Sequence, residues 1–168
     1  VVELSIDDLY RTKAERLQLA KDVHPLCAIR GVPGTHDVAL GRHVLQSLCD
    51  ASSDSHTSVP RFDKRRDDRA PADEWSVIQG RPDVILFEGW CVGATVPHPC
   101  TEPTNDRERR EDPEGTWRAW SDAALNLEYG PLFEQLNALV MIKVPSMDAV
   151  REGRWRQEQR LWADGVHG

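Results

Sequence analysis

Metal-binding cysteine motifs are missing from this sequence. The cysteines form no Cys-x-x-Cys pair, and no histidine accompanies them at the spacing of a zinc site. They are Cys27, Cys49, Cys91 and Cys100. We therefore expect reduced thiols in a cytoplasmic protein.

Long apolar runs and an excess of basic residues are missing as well. No apolar run approaches the roughly 20 residues needed to cross a bilayer, and the first residues do not resemble a signal peptide. The chain has 21 Lys and Arg against 28 Asp and Glu, a net charge of −7. Nucleic acids and membrane surfaces attract basic proteins. We therefore predict a protein that binds neither, and the composition leaves its oligomeric state open.

An initiator methionine is also absent. The first residues, VVELSIDDLY, already show the alternating apolar pattern of a strand, and the last, RLWADGVHG, stop without a completed helix. These ends indicate a fragment of a longer protein. A length of 168 residues is typical of one domain, so we predict a single domain over 1–168.

Predicted strands alternate with predicted helices, which favours an α/β domain with parallel strands. A strand is predicted at 1–6. A helix is predicted at 13–22, where Thr12 and Glu15 have the spacing of a capping box. Asp37 is placed to cap a second helix that ends near Leu48.

The second half of the chain continues this alternation. The predicted segments are a polar loop at 51–58, a charged loop at 59–75, a strand at 83–87, an exposed insertion at 94–115, a helix capped by Thr116, a buried strand at 138–144 and a helix from Ser146. The helix after Thr116 would carry Trp117, Trp120, Ala124 and Leu127 on one face.

Acidic residues stand at the ends of two predicted strands. Asp7 and Asp8 follow the first strand, and Glu88 ends the apolar run of DVILFEGW. Open α/β sheets bind ligands beyond the carboxyl ends of their strands. A single acid there is more often a helix cap or a solvated loop residue, but acids at two strand ends favour a site. Such carboxylates can bind Mg²⁺ or accept a proton from a substrate hydroxyl, and both tasks belong to phosphoryl transfer.

Phosphoryl transfer also requires cations that neutralise the transferred group. The central loop and the last helix supply them as Arg61, Lys64, Arg65, Arg66 and Arg69, and as Arg151, Arg154 and Arg156. Either run alone is more often a solvated charged surface. The cations therefore support the interpretation only together with the strand-end acids.

Five motifs occur in an order that resembles D-glycerate 3-kinase and its bacterial P-loop kinase relatives. They are RGVPGTHD, VPRFDK, DRAP, a tryptophan and LFEGWCVG. SIDDLY and VILFEGW also resemble strand-end segments of uridine kinase and phosphoribulokinase. The resemblance is strong over 5–93 and looser over 112–160. It implies a P-loop nucleoside-triphosphate kinase fold with a flexible insertion near 94–115, and a small hydroxylated substrate with ATP and Mg²⁺.

The resemblance also implies roles by position. Asp7 would accept the hydroxyl proton and Glu88 would orient the Mg²⁺ shell. Arg154 and Arg156 would close over the phosphates as lid residues. The acceptor site would be lined by Arg30, His36, Asp37, Arg61, Asp63, Lys64 and Arg69.

The phosphate-binding loop of these kinases has no counterpart in the chain, which contains no Gly-Lys pair. We therefore expect that loop upstream of Val1, a fold incomplete at the N-terminus, and no ATP turnover by this polypeptide. The predicted function of the full-length protein is phosphorylation of a small, glycerate-like hydroxy acid. The alternatives are a kinase of another small metabolite, such as a nucleoside or pantothenate, on the same fold, and a non-catalytic remnant that serves as a binding module.

Overall fold

The computed structural model describes residues 1–96 and 102–163. Its contacts divide the chain into two compact units, Val1–Asn137 and Ala138–Gly168. Cys100 lies outside the described residues, and Cys27, Cys49 and Cys91 are free thiols. The single domain predicted over 1–168 stays a prediction.

The first unit contains all the described strands and most of the helices. The strands are β1 Val2–Ser5, β2 His56–Val59, β3 Phe62–Asp63, β4 Asp68–Arg69, β5 Ser76–Gln79 and β6 Ile85–Glu88. The helices of this unit are α1 Lys13–Asp22, α2 Val38–Asp50, α3 Asp106–Glu111, α4 Thr116–Ala124 and α5 Gly130–Phe133. The second unit contains α6, Met147–Ala163, and no described helix is long and apolar enough to cross a membrane.

Strands β1 and β6 form the parallel pair that the sequence predicts. Val2 lies opposite Ile85 and Ser5 lies opposite Glu88. Burial along β6 is one-sided, because Phe87 is buried while Leu86 is half exposed. The apolar run of DVILFEGW therefore covers one side of the core, whereas the sequence indicates a strand buried on both faces.

The predicted helix starts are confirmed at the first two helices. At α1 the Thr12 side chain accepts from the Glu15 backbone amide while the Glu15 carboxylate accepts from the Thr12 amide. At α2 the Asp37 carboxylate accepts from the Leu40 amide. Helix α2 then buries one apolar stripe against β2 and the turn after β1, and this stripe contains Val38, Gly41, Val44, Leu45 and Leu48.

Two segments predicted as loops contain short antiparallel strands. In the polar segment, β2 pairs with β5, and only its alternate residues Thr57 and Val59 are buried. In the charged segment, β3 and β4 form a hairpin. Strand β2 is hard to recognise in the sequence because polar residues occupy its exposed face. Strands β3 and β4 have only two residues each, too few to show an alternating pattern.

The insertion and the start of α4 also differ from the prediction. The insertion contains the short helix α3, and 97–101 of it lie outside the described residues. Thr116 is the first helical residue and does not cap α4. The cap comes from Asp112, a buried carboxylate that accepts from the backbone amides of Trp117 and Arg118.

A π-helical turn follows α4 and changes which residues face the core. The turn spans Leu125–Tyr129. Leu125 and Tyr129 are buried, whereas Leu127 is 77% exposed. The predicted apolar face is therefore wrong at Leu127, because a π turn takes up more residues than an α turn and rotates the following side chains.

The strand predicted at 138–144 is absent from the structure. This segment is irregular and its apolar side chains are exposed, Ile142 by 89%. No described strand pairs with it, so its backbone lacks the ladder of hydrogen bonds that a strand requires. The following helix is confirmed, and the Ser146 hydroxyl accepts from the Ala149 amide at its start.

Candidate functional site

The strand-end acids lie at one edge of the parallel pair. Glu88 is the last residue of β6, opposite Ser5 of β1. Directly after β1, a 3₁₀ turn at Ile6–Leu9 carries Asp7 and Asp8. Gly89 allows the close approach of the two segments, because a Cβ there would lie 2.2 Å from Ile6 Cγ2. The edge position predicted for these acids is therefore present in the structure.

Asp7 accepts a hydrogen bond from Lys64 Nζ at 2.8 Å across the sequence gap between β1 and the β3–β4 hairpin. Partial burial raises the pKa of Asp7, but hydrogen bonding and attraction by Lys64, with a hydrogen bond from Tyr10, lower it below its ordinary value. Asp7 is thus an ionised carboxylate at neutral pH, with its charge held by a lysine ammonium group.

Asp8 fixes the hairpin to the same turn. Its Oδ1 accepts from the Phe62 backbone amide at 3.0 Å, and its Oδ2 accepts from Arg61 NH1 at 2.9 Å. Both carboxylates of the turn therefore hold the β3–β4 hairpin. Asp8 accepts from a backbone amide as well as from a side chain, whereas the Asp7 carboxylate accepts from the Lys64 side chain.

Arg69 connects the hairpin to the RGVPGTHD loop, residues 30–37. Its NH2 donates to Asp37 Oδ2 at 3.1 Å and to the Tyr10 carbonyl at 3.0 Å. Its Nε is buried without a hydrogen-bond partner among the described atoms. Asp37 therefore has two tasks, since it also caps α2.

A cavity of about 360 Å³ lies beside the same loop. It is lined by Arg16, Ala28, Ile29, Arg30 and Asp67. Asp67 pairs with both arginines, and burial, which raises its pKa, is outweighed by their hydrogen bonds and charges. Arg30 also lies over the Phe62 ring, with its guanidinium carbon 5.5 Å from the ring centroid.

Two residues predicted to line the acceptor site have other surroundings. Asp63 accepts from the backbone amides of Arg65 and Arg66, and hydrogen bonds from Arg66 and Arg65 lower its pKa. It therefore shapes the hairpin turn. His36 is fully buried, so its ring packs inside the fold and is not exposed to solvent.

Glu88 is an exposed carboxylate, and no hydrogen bond or ion pair involves it in the described part of the chain. No cluster of three or more His, Cys, Asp or Glu able to hold a metal ion occurs among the described residues. A lone free carboxylate fits Mg²⁺ only as one contact to a hydrated ion that other ligands also hold. Mg²⁺ often binds in this way beside nucleotide phosphates.

The predicted lid residues belong to the second unit. Arg154 and Arg156 lie on α6 and are exposed. Arg154 donates to Gln157, and Arg156 pairs with Glu152 one turn earlier. These are contacts within one helix, which are of small energetic value at an exposed surface.

The sequence interpretation missed three residues that organise this region. Arg16 is 1% exposed and donates to the carbonyls of Arg11, Ala28 and Asp67. Tyr10 stacks on His36, with ring centroids 4.4 Å apart. Tyr129 binds the RGVPGTHD loop from a distant helix. Tyr10 could have been found from its place in SIDDLY, but nothing in the sequence distinguishes Arg16 or Tyr129.

Comparison with known proteins identifies the relatives of this arrangement, although no family model matches the chain. The uncharacterized kinase mug58 of Schizosaccharomyces pombe is 33% identical over 97% of this chain and 61% of its own length. The chloroplastic D-glycerate 3-kinase of Arabidopsis thaliana is 30% identical over 98% of this chain and 36% of its own length. The homologues of this chain are therefore kinases. The resemblance inferred from the ordered motifs is confirmed.

The solved structures agree with the sequence comparison. The structure of D-glycerate 3-kinase from Cryptococcus neoformans matches with a TM-score of 0.72 and 26% identity, over 99% of this chain and 62% of that chain. The predicted α/β fold of the P-loop kinases is therefore confirmed. The chain spans about a third to three fifths of the length of these relatives.

Proposed function

We propose that the full-length protein is an ATP-dependent kinase that phosphorylates a hydroxyl group of a small hydroxy acid such as glycerate. One observation carries the proposal. Asp7, at the carboxyl edge of the parallel pair, is ion-paired with Lys64 beside two arginine-bearing loops. Relatives named D-glycerate 3-kinase support the acceptor class.

Asp7 receives the proton of the acceptor hydroxyl as the oxygen attacks the phosphoryl group. Against the effect of partial burial, Lys64 lowers the pKa of Asp7 and so keeps the carboxylate ionised before the transfer, as a proton acceptor must be. A lowered pKa makes Asp7 a weak base. Phosphoryl transfer tolerates this because its catalysis depends mainly on positioning and electrostatic stabilisation. When bound, ATP supplies the phosphoryl group and Mg²⁺ neutralises its developing charge.

Arg30 and Arg69 are the proposed partners of the acceptor carboxylate. A guanidinium group matches a carboxylate with two parallel hydrogen bonds. A nucleoside would instead need an aromatic surface on which to stack. Phe62, the aromatic residue of these loops, is buried, and Arg30 lies over its ring. These contacts favour an anionic acceptor over a nucleoside.

Other parts of the proposal rest on the resemblance. Glu88 would contact the hydrated Mg²⁺, and Arg154 and Arg156 would act as lid residues at the phosphates. Asp37 and Arg61 remain predicted contacts of the acceptor, whereas Asp63 shapes the hairpin turn and His36 is buried, so we assign neither of these two to direct contact. We place the full-length protein in the cytoplasm, although one plant relative is named chloroplastic.

The test is a coupled kinase assay of the full-length protein with glycerate, pantothenate and uridine as acceptors. We expect a preference for glycerate. Arg69→Ala should raise the KM for glycerate by about 10- to 100-fold, the value of a charged hydrogen bond, and leave the KM for ATP unchanged. Arg66→Ala is the matched control, because Arg66 pairs with Asp63 and Glu74 at the surface.

Three outcomes would contradict the proposal. A preference for uridine or pantothenate would select the alternative kinase. Full glycerate activity in a folded Arg69→Ala protein would remove Arg69 from the acceptor site. Absence of phosphotransfer to every acceptor, with small-molecule binding retained, would favour the binding module.

A further inference from the structure

The RGVPGTHD loop is buried, which is unusual for a connecting segment. Pro33, Gly34, Thr35 and His36 are all buried. A buried loop requires partners for its backbone polar groups, and side chains from elsewhere supply them here. Arg11 Nε donates to the Gly34 carbonyl at 3.1 Å.

Helix α4 and its π turn supply the partners on the other side of the loop. The Ser121 hydroxyl donates to the Pro33 carbonyl at 3.1 Å. The Gly34 amide donates to the Tyr129 hydroxyl at 2.9 Å. Gly34 has a φ of +95°, and a Cβ there would lie 2.4 Å from the Trp120 ring. The loop conformation is therefore matched to this helix.

The Tyr129 hydroxyl makes a second contact, to His36 Nδ1 at 2.6 Å. Its oxygen already accepts from Gly34, so its single proton is available for His36 Nδ1. The proton of the neutral imidazole then lies on Nε2. The opposite tautomer would leave both the tyrosine proton and the Nε2 lone pair buried without partners, because no partner of Nε2 is present among the described atoms.

His36 and Tyr10 connect Tyr129 to Asp7, the proposed base, through successive contacts. Its ring stacks on Tyr10 with a centroid distance of 4.4 Å. Burial raises the pKa of the Tyr10 hydroxyl, and Tyr10 in turn lies close enough to Asp7 for the carboxylate charge to raise this pKa further. The π turn thus places the Tyr129 hydroxyl against His36, and His36 stacks on Tyr10, which lies beside Asp7. Single π turns occur frequently at functional sites.

We propose that Tyr129 is a positioning residue, which fixes His36 as the Nε2–H tautomer and holds the RGVPGTHD loop in its acceptor-binding form. The effect of Tyr129 on turnover rests on the proposed function. Its effect on the tautomer depends only on the buried contacts. Tyr129 is fully buried and acts through its contacts with His36 and Gly34.

The test uses Tyr129→Phe in the full-length protein, with ¹⁵N NMR of the histidine rings and steady-state kinetics. In the natural protein the His36 signals should show protonated Nε2 and unprotonated Nδ1. The variant should populate the Nδ1–H tautomer, because the tyrosine proton is gone. The KM for the acceptor should rise about 3- to 10-fold, the net value of one lost hydrogen bond, with the KM for ATP unchanged.

Phe133→Leu is the control for packing alone. The Phe133 ring contacts Tyr129 edge to face, with centroids 5.9 Å apart, and this substitution leaves the hydroxyl in place. It should lower stability without changing the tautomer or the ratio of the two KM values. If Tyr129→Phe and Phe133→Leu change the His36 tautomer and the ratio of the two KM values equally, the proposal is overturned.

The natural protein alone can also decide against the proposal. A protonated Nδ1 at His36 would show that Tyr129 does not set the tautomer, whether or not the variant folds. If the protein fails to phosphorylate glycerate, the proposed function is wrong and the NMR comparison still tests the role of Tyr129.

Discussion

The lysine ammonium group beside Asp7 keeps this carboxylate in the ionised form that the proposed base requires. Because the pKa of Asp7 is lowered, its carboxylate is ionised at neutral pH, although it is a weak base. We expect Asp7→Asn in the full-length protein to reduce kcat by about 10²- to 10⁴-fold, the usual value of a general base. The KM for ATP should stay near its normal value. Steady-state kinetics with varied ATP and acceptor measures both quantities.

Asp8→Asn is the matched control for this variant. Asp8 holds the Phe62 amide and Arg61, so its loss should weaken hairpin docking more than turnover. A larger kcat loss in Asp8→Asn than in Asp7→Asn would move the base to Asp8.

Burial of His36 gives the protein an acid-sensitive element. Burial lowers the pKa of His36 to about 4, against an ordinary value of 6.5, and the charge of Asp7 only partly opposes this effect. The unfolded chain therefore takes up a proton as pH falls through about 6.5, while the folded protein does not until about pH 4. The contribution of neutral His36 to stability is complete above pH 6.5 and is lost as pH falls toward 4.

Urea unfolding at pH 7.5 and pH 4.5 measures this loss against His36→Gln, which cannot titrate. Carboxylates lower the stability of both proteins in acid, so the difference between the two isolates His36. The natural protein should lose about 2–3 kcal/mol more than the variant over this interval. Parallel losses in both proteins would show that His36 keeps an ordinary pKa.

At the scale of elements, the π turn decides which leucine belongs to the core. Leu125 is buried and Leu127 is exposed. Leu125→Ala should cost about 2–4 kcal/mol of unfolding free energy, because it creates a cavity. Leu127→Ala should change the unfolding free energy by less than about 0.5 kcal/mol. Chemical denaturation of both variants measures the difference, and the reverse order would indicate an uninterrupted α-helix through this segment.

The β3–β4 hairpin shows how much short elements depend on their surroundings. Each strand has only two residues, too few for an independent hairpin. Asp8, Asp7 and Asp37 hold it through Arg61, Lys64 and Arg69. The charged loop is therefore ordered by ion pairs to the strand-end turn and the RGVPGTHD loop.

At the scale of the whole molecule, the proposed binding of ATP requires a phosphate-binding loop that the sequence of this chain does not contain. It has no Gly-Lys pair to supply the amides and the lysine that hold ATP phosphates, and its net charge is −7. We expect no specific ATP binding by the chain at millimolar nucleotide. Calorimetric titration tests this, with the full-length protein as the positive control. Saturable binding at micromolar ATP would show that a different surface holds the phosphates.

Local sequence patterns determined the parts of this protein whose interactions are local. The capping box of Thr12 and Glu15 spans three residues, and the apolar stripe of α2 repeats with the helix period. The edge position of Asp7 and Glu88 is a long-range feature that followed instead from a general rule, since alternating strands and helices imply parallel pairing. A local pattern can be recognised in the sequence when the interacting residues lie within a few positions of each other.

Tertiary structure alone decided the long-range contacts of the site. The partners Asp7 and Lys64 are separated by 57 positions, and Gly34 and Tyr129 by 95. A charged run such as KRRDDR offers several equally good ion pairs, so its sequence cannot select among them. Packing selects one set, because only the folded chain brings the strand-end turn, the hairpin and the π turn to the same place. The same reason explains why Leu127 and the run at 138–144 were misassigned: an apolar side chain is buried only where a neighbouring element covers it.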